Sequence, residues 1–427
     1  MIAAVLFLTF GALLLIGAPI AVCLGASSVI TMVIQGLGKP IETVMSSLPM
    51  IVSASTSKFV LLAIPFFILA GNIMEKAGIS EKLIRLAEAC VGHRKGGIAI
   101  VCVIVSCFFA AIAGSGPATV AALGVILVPA MIKSGYSPAF SAALMAASGA
   151  IGVVIPLSIT FVVYGSIADT SIGDLFIAGL LPGILLGIAF AVTALLVGRK
   201  TKLTTLKRAT GKEKWKAFKD AFWGLLMPVI ILGGIYGGIF TPTEAAAVSA
   251  VYGLFVGIVI YRKIHLRDFW NILIDTVSTT ATIMFITAAA SLFAYVLTRA
   301  RLDVAISSAL ESATGGSTIV FFIIVNIILL IAGCFLDSTS ALYIFTPLFV
   351  PVAKALGIDL IHLGVVMIVN LAIGLFTPPV GVNLYVACNV GKVDLKQISK
   401  AILPLLIAAL IVLLIVTYIP EISLLLL

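Results

Sequence analysis

Residues that restrict backbone geometry recur in this chain at a nearly constant distance. Pro156 is matched by Pro378, a separation of 378 − 156 = 222 residues. The same separation pairs Pro129 with Pro351, Gly135 with Gly357, Met145 with Met367, Gly152 with Gly374 and Pro182 with Pro404, without a gap. One residue of slippage carries the match upstream, setting Lys76 against Arg299 and Pro19 against Pro242. Proline locks one dihedral and glycine opens others, so a repeat in these positions is a repeat of structure. The chain has to fold as two copies of one unit.

The medium for that unit is a bilayer. Crossing one takes about 20 apolar residues as a helix. Apolar runs follow one another from Val5 to Leu15, Val60 to Ile73, Leu180 to Val197, Ala221 to Ile239, Ala246 to Ile260, Ile283 to Val296 and Ile402 to Ile419, several extending past these limits. With 62% hydrophobic and 10% charged residues and a mean hydropathy of +1.29, the 427 residues are mostly consumed by spans, leaving no room for a soluble domain of ordinary size.

The net charge of +9 could suggest nucleic acid in a soluble protein, but its location argues for topology. Arg199, Lys200, Lys202, Lys207, Arg208, Lys212, Lys214, Lys216 and Lys219 crowd one segment, opposed only by Glu213 and Asp220. This is the pattern of a cytoplasmic loop. The cysteines Cys23, Cys90, Cys102, Cys107, Cys334 and Cys388 show neither paired nor metal-type spacing and read as packing residues. Met1 opens an apolar run without a basic leader, which reads as a retained first span.

Counting crossings from that loop gives the orientation. Upstream lie spans at roughly 3–24, 25–40, 48–74, 138–168 and 175–198, plus a hairpin-like pair at 97–132. Five is odd, so the N-terminus is placed outside. Downstream, spans recur at roughly 221–239, 243–262, 269–298, 360–389 and 399–420 with a pair at 319–355, putting Arg262, Lys263 and Arg267 inside and the C-terminus outside. The expected fold is an all-α polytopic membrane protein of two inverted-topology repeats, 1–198 and 221–427, joined by a basic linker at 199–220. Charged stretches from Glu75 to Lys95 and Thr298 to Glu311 read as surface-lying amphipathic helices, the first through Leu83, Ile84, Leu86 and Ala87.

Polar breaks stand at matched places inside this apolar sequence. Ala113-Gly114-Ser115-Gly116-Pro117-Ala118-Thr119 and Leu336-Asp337-Ser338-Thr339-Ser340 each separate two apolar arms, which suggests re-entrant hairpins. Two full spans joined by a tight turn would preserve the same crossing parity. A second pair of breaks runs from Gly152 through Pro156 and Ser158 to Thr160, and from Gly374 through Thr377, Pro378 and Pro379 to Asn383, predicting discontinuous helices. Non-helical backbone at membrane depth survives only where protein or a water-filled site satisfies it. Carbonyls at a broken helix's C-terminal end suit Na⁺, and free N–H groups at an N-terminal end suit a carboxylate. Four converging breaks would make two cation sites flanking an anion pocket.

Asp337, ionisable and deep in apolar sequence, is expected to balance a cation or bond substrate hydroxyls. Thr241-Pro242-Thr243-Glu244 reads as a capping box, and Arg299 and Arg301 as interfacial anchors. An enzyme is disfavoured, since the chain lacks HExxH and GxSxG motifs and its histidines, His93, His265 and His362, are scattered near loops.

Taken together, Ile64-Pro65-Phe66-Phe67, the Ala113–Thr119 break, Ile155-Pro156 with Ser158-Ile159, Thr241–Ala246 and Thr377-Pro378-Pro379-Val380-Gly381 resemble the large membrane subunit of tripartite ATP-independent periplasmic (TRAP) transporters, the DctM or SiaM type. Leu157 departs from the pattern, which has a second proline there. The resemblance implies a Na⁺-driven elevator of the bacterial inner membrane that receives substrate from a periplasmic binding protein and pairs with a small four-span membrane subunit. Scaffold helices would lie at about 1–74, 175–198, 221–298 and 399–420, and the moving transport domain at about 97–168 and 319–389. Its substrates would be carboxylates, sialic acid favoured and a C4-dicarboxylate the alternative. Carried onto this chain, it implies Ser115, Ser158, Thr160 and Asp337 as substrate contacts. Gly114, Ser115, Gly152 and Pro156 would surround one Na⁺, and Ser338, Thr339, Gly374 and Thr377 another. The rival reading is a stand-alone divalent-anion/sodium symporter needing no binding protein.

Overall fold

The structure, a computed structural model, describes residues 2–38, 40–199 and 201–427, so Met1 and the linker residue Lys200 lie outside the described residues. The first half runs α1 (Ile2–Leu15), α2 (Ile20–Gln35), α3 (Ile41–Met45), α4 (Ser47–Thr56), a 3₁₀ turn (Phe59–Leu62), α5 (Ala63–Lys76), α6 (Ile79–Val91), α7 (Gly97–Ala113), α8 (Gly116–Lys133), α9 (Pro138–Val154), α10 (Ile159–Ala168) and α11 (Ile172–Gly198). The second half runs α12 (Gly211–Tyr236), α13 (Pro242–Phe255) with a π-helical extension (Val256–Ile260), α14 (Leu266–Arg299), α15 (Leu302–Thr314), α16 (Thr318–Phe335), α17 (Ser338–Ala355), α18 (Leu360–Gly374), α19 (Val382–Gly391), α20 (Leu395–Ala401), α21 (Leu403–Tyr418) and α22 (Glu421–Leu424). Among the described residues there is no strand.

Helix boundaries carry the sequence repeat. The second hairpin arms start at Gly116 and Ser338, 338 − 116 = 222 residues apart, and the short helices α6 and α15 start at Ile79 and Leu302, 302 − 79 = 223 apart. Hairpins and broken helices thus recur as expected. Several span limits move: the first two spans divide between Leu15 and Ile20, not after residue 24, because Pro19 cannot donate into a continuing ladder. The basic linker is non-helical only as far as Thr210, where a capping box starts α12 ten residues before the expected span: Thr210 Oγ1 accepts from the Glu213 N–H (3.3 Å) and Glu213 Oε2 from the Thr210 N–H (2.7 Å). The box expected at Thr241 forms as well, with the Thr241 N–H donating to Glu244 Oε2 at 2.8 Å.

The halves exchange contacts. α5 packs on α13 while its counterpart α14 packs on α2, and α10 packs on α17 while α19 packs on α8. Reciprocal contact of this kind is the mark of a two-fold relation between copies. At the centre, α9 and α18 pack against each other and are buried on every side from Phe140 to Val154 and from His362 to Gly374. A helix apolar all round belongs in such a place, and the alanines, serines and glycines of α9 let neighbours approach closely. Among the described residues seven helices are long and apolar enough to cross a membrane, or up to nine if each bent pair is one span; α9 and α10 form one such pair, bent by 41°.

One end of the molecule gathers the basic loops. The Thr204 N–H donates to the Ser134 carbonyl (2.9 Å) and the Leu206 N–H to that of Gly92 (3.2 Å), laying the linker over both loops. Beside it, Lys82, Arg85, Lys216 and Lys263 share a cleft with Glu81, Glu213 and Asp220. Lys263 Nζ meets Glu81 Oε2 at 3.2 Å, and Lys82 Nζ sits 3.7 Å from the centre of the Tyr261 ring. α6 buries Leu83, Ile84 and Ala87 on one face, as its pattern suggests.

Candidate functional site

Both hairpin tips open onto one cavity of about 360 Å³. Ser115 and Asp337, 337 − 115 = 222 residues apart, are the residues that start α8 and α17, and both line it. Their roles differ. Asp337 caps its helix, Oδ2 accepting from the Ser340 N–H (3.0 Å) and Oδ1 from the Ser340 hydroxyl. Ser115 makes no side-chain cap; its carbonyl accepts from the Thr119 N–H (3.1 Å) and hydroxyl (2.8 Å). The first N–H groups of α8 and α17 therefore begin at the cavity, where no earlier turn of helix supplies them with acceptors.

The broken helices form the floor. Pro156 stands where a helix would place the donor to the Gly152 carbonyl, and it has no N–H. Thr160 spans the break, its hydroxyl donating to the Val153 carbonyl at 3.0 Å, and it also bonds the hydroxyl of Ser158, which caps α10 by accepting from the Thr160 N–H (3.2 Å). Leu157, the departure from the family pattern, takes a left-handed φ of 79°. The second break is built differently, with a cis Pro378–Pro379 peptide bond and Gly381 at φ 54°, whose N–H donates to the Cys334 carbonyl at 3.1 Å. Asn383 closes it, its N–H donating to the Leu375 carbonyl (2.9 Å) and Nδ2 to Ala146 O of α9 (3.0 Å).

Of the residues expected at the site, Gly114, Ser115, Thr160, Asp337, Ser338 and Thr339 line the cavity together. Ser158, Gly152, Pro156, Gly374 and Thr377 stand behind it. Ser158 is fully buried and spent on capping, so Thr160 is the hydroxyl that reaches the cavity. Gly374 has a packing role: a Cβ there would lie 2.6 Å from Gly333 Cα, and its carbonyl accepts from the Thr377 N–H at 3.1 Å. The Thr377 hydroxyl donates to the Ile373 carbonyl (2.7 Å). Ser338 Oγ is buried without a partner among the described residues. Arg299 and Arg301 do not line the cavity; Arg299 donates to the Tyr295 hydroxyl at 3.2 Å on its own helix.

Compared with known proteins, residues 7–422 match the family model for the DctM component of tripartite ATP-independent periplasmic transporters. The chain belongs to this family. Among similar relatives of this TRAP large permease is the C4-dicarboxylate permease protein DctM of Pseudomonas aeruginosa, 47% identical over 87% of this chain and 86% of its own. Another is the sialic acid permease protein SiaM of Vibrio cholerae, 40% identical over 86% of each chain. The 2,3-diketo-L-gulonate permease protein YiaN of Escherichia coli is 38% identical, again over 86% of each. The crystal structure of the Alcanivorax borkumensis YdaH transporter shares the fold, with a TM-score of 0.62 over 88% of each chain at 13% identity. As a TRAP large permease the chain is a membrane transporter and not an enzyme.

The remaining wall of this permease's cavity was not legible beforehand. Asn72 and Glu75 of α5 and Thr279 and Thr282 of α14 face the tips across it. Asn72 Nδ2 donates to Thr276 Oγ1 at 3.0 Å, tying the two helices. The signal was the polar cluster Thr276, Ser278, Thr279, Thr280 and Thr282 inside an otherwise apolar span. Asp337 and Glu75 are the charged residues lining the cavity, and among the described residues no Lys, Arg or His lines it.

Proposed function

We propose that this TRAP permease carries out Na⁺-coupled uptake of a small organic carboxylate across the bacterial inner membrane. The supporting observation is the charge of the central cavity, two carboxylates with no basic side chain. Two like charges 4 Å apart repel by about 4 kcal/mol at an effective dielectric constant near 20. An organic anion is therefore admitted only with compensating cations. Oxygen ligands suited to Na⁺ line the cavity: the unpartnered Ser338 hydroxyl, the Asp337 carboxylate and the hydroxyls of Ser115 and Thr339. The substrate's own carboxylate would then meet the helix starts at Ser115 and Asp337, with Thr160, whose proton goes to the Val153 carbonyl, accepting from any substrate hydroxyl.

Transport would follow an elevator path, with α7–α10 and α16–α19 moving against α2, α5 and α12–α14. The cavity lies at the boundary of these groups, tips on one side and α5 and α14 on the other. With the basic loops in the cytoplasm and both termini outside, Glu75 lies towards the cytoplasmic end of the cavity. A C4-dicarboxylate and sialic acid are the first substrates to test, in line with the names of the relatives at 47% and 40% identity. A separate small membrane subunit and a periplasmic binding protein would complete the system, as the family name implies.

Proteoliposome uptake tests this directly. Succinate or N-acetylneuraminate should accumulate only with a Na⁺ gradient, the small subunit and a loaded binding protein. Uptake undiminished in choline would overturn the coupling, and uptake without any binding protein would favour the stand-alone symporter.

A further inference from the structure

A second cavity of about 360 Å³ lies further along the same boundary, between the segment around Ser55 and Lys58 with α14 on one wall and α10 with α17 on the other. On α14 the central cavity is lined from Thr279 to Ile286 and this one from Thr287 to Ala294, so the two follow one another along the helix. Its chemistry is the reverse of the first. Lys58 brings a positive charge, none of its described lining residues is acidic, and Ser55, Thr287, Ser291, Tyr343 and Thr346 bring hydroxyls.

Lys58 is not electrically satisfied. Its Nζ donates to the carbonyl of Ser166, in the last turn of α10, at 2.7 Å. That acceptor is neutral, takes one of three ammonium N–H groups, and leaves the charge unpaired, since the ion pairs among the described residues lie elsewhere. Thr346 Oγ1 is buried without a partner although its residue lines this cavity. The Tyr343 hydroxyl donates to Thr287 Oγ1 at 2.7 Å, since Thr287 spends its own proton on the Ile283 carbonyl (2.9 Å), which leaves Thr346 as the free donor. An unpaired ammonium beside an unspent hydroxyl is the recognition chemistry of a carboxylate.

We propose that this cavity is a second carboxylate site, further along the boundary from the central one, in which Lys58 pairs with the anion and Thr346 donates to it. It rests on reading the chain as an organic-anion carrier. Because the charge comes from lysine, this site needs no Na⁺, unlike the central cavity.

That difference makes the test. Permease purified with its small subunit is placed in nanodiscs in Na⁺-free buffer, and the rate at which an amine reagent labels Lys58 is read by peptide mass spectrometry. Acetate, succinate and N-acetylneuraminate serve as probes, with chloride at equal ionic strength as control. At about three times its dissociation constant a bound carboxylate slows labelling about fourfold, by the factor 1 + [L]/Kd. Protection by at least one of the three, weakened in Thr346→Val and retained in Asp337→Ala, is the expected result. No protection by any of them overturns the site, leaving Lys58 as a cap on α10. Protection that requires Na⁺ and disappears in Asp337→Ala also overturns it, by assigning the effect to the central cavity. The assay reads binding and not uptake, so its failure is distinct from loss of Na⁺-coupled transport.

Discussion

Gly114 and Leu157 meet backbone to backbone: a Cβ on Gly114 would stand 2.8 Å from the Leu157 carbonyl oxygen. The tip of the first hairpin is thereby seated on the break of the first discontinuous helix, 157 − 114 = 43 residues further along the chain. Gly114 also holds a φ of 59°, and Leu157 one of 79°. Left-handed backbone costs a side-chain-bearing residue roughly 1–2 kcal/mol. At this contact Leu157 carries that cost and glycine at 114 avoids it.

Gly114→Ala should lower uptake at least tenfold, equivalent to about 1.4 kcal/mol. Both its left-handed backbone and its seat on Leu157 would be disturbed. Initial uptake rates per folded transporter, normalised by size-exclusion profile, check this. A rate within twofold of the parent protein would show that the tip tolerates displacement.

In the second half a different tight contact joins Gly374 to Gly333. A Cβ on Gly374 would lie 2.6 Å from both Cα and the carbonyl carbon of Gly333, whereas one on Gly333 would lie 3.1 Å from Gly374 Cα. Overpacking of this kind costs about 1–3 kcal/mol. Gly374→Ala should therefore lower the thermal midpoint of the purified protein more than Gly333→Ala does. The reverse order would contradict the packing.

Asp337 combines two roles that substitution can separate. Asn retains a side-chain oxygen for the Ser340 N–H, while Ala removes the cap at a cost of about 1 kcal/mol. Asp337→Asn should keep the thermal midpoint but raise the Na⁺ concentration for half-maximal uptake. Asp337→Ala should lose both. Normal Na⁺ dependence in the Asn variant would remove Asp337 from cation balance.

Away from the cavity, Asn370 Nδ2 donates to both the backbone oxygen (3.0 Å) and Oδ1 (2.8 Å) of Asn326, and Asn326 Nδ2 donates to Thr417 Oγ1 (3.2 Å). His362 joins the same group through the Thr417 carbonyl, at 3.2 Å. Asn370→Ala would strand Asn326 at a cost of about 1–3 kcal/mol. A lower thermal midpoint with unchanged Na⁺ dependence is expected. A changed Na⁺ dependence would instead tie this network to the coupling ion.

The repeat, the hairpins, the broken helices and the capping box at Thr241 were legible in the sequence because proline, glycine and capping residues act locally. Pro156 removes a donor wherever its helix goes, and Thr241 with Glu244 closes a turn from within. Which polar groups share a cavity is another kind of question. Asn72, Glu75, Thr279 and Thr282 join the tips, and Ser158 withdraws behind Thr160, only because the two copies exchange contacts across a two-fold relation. Local pattern determined where each helix breaks; the packing of one half on the other decided what the breaks face, since contact between distant segments depends on how whole helices fit together.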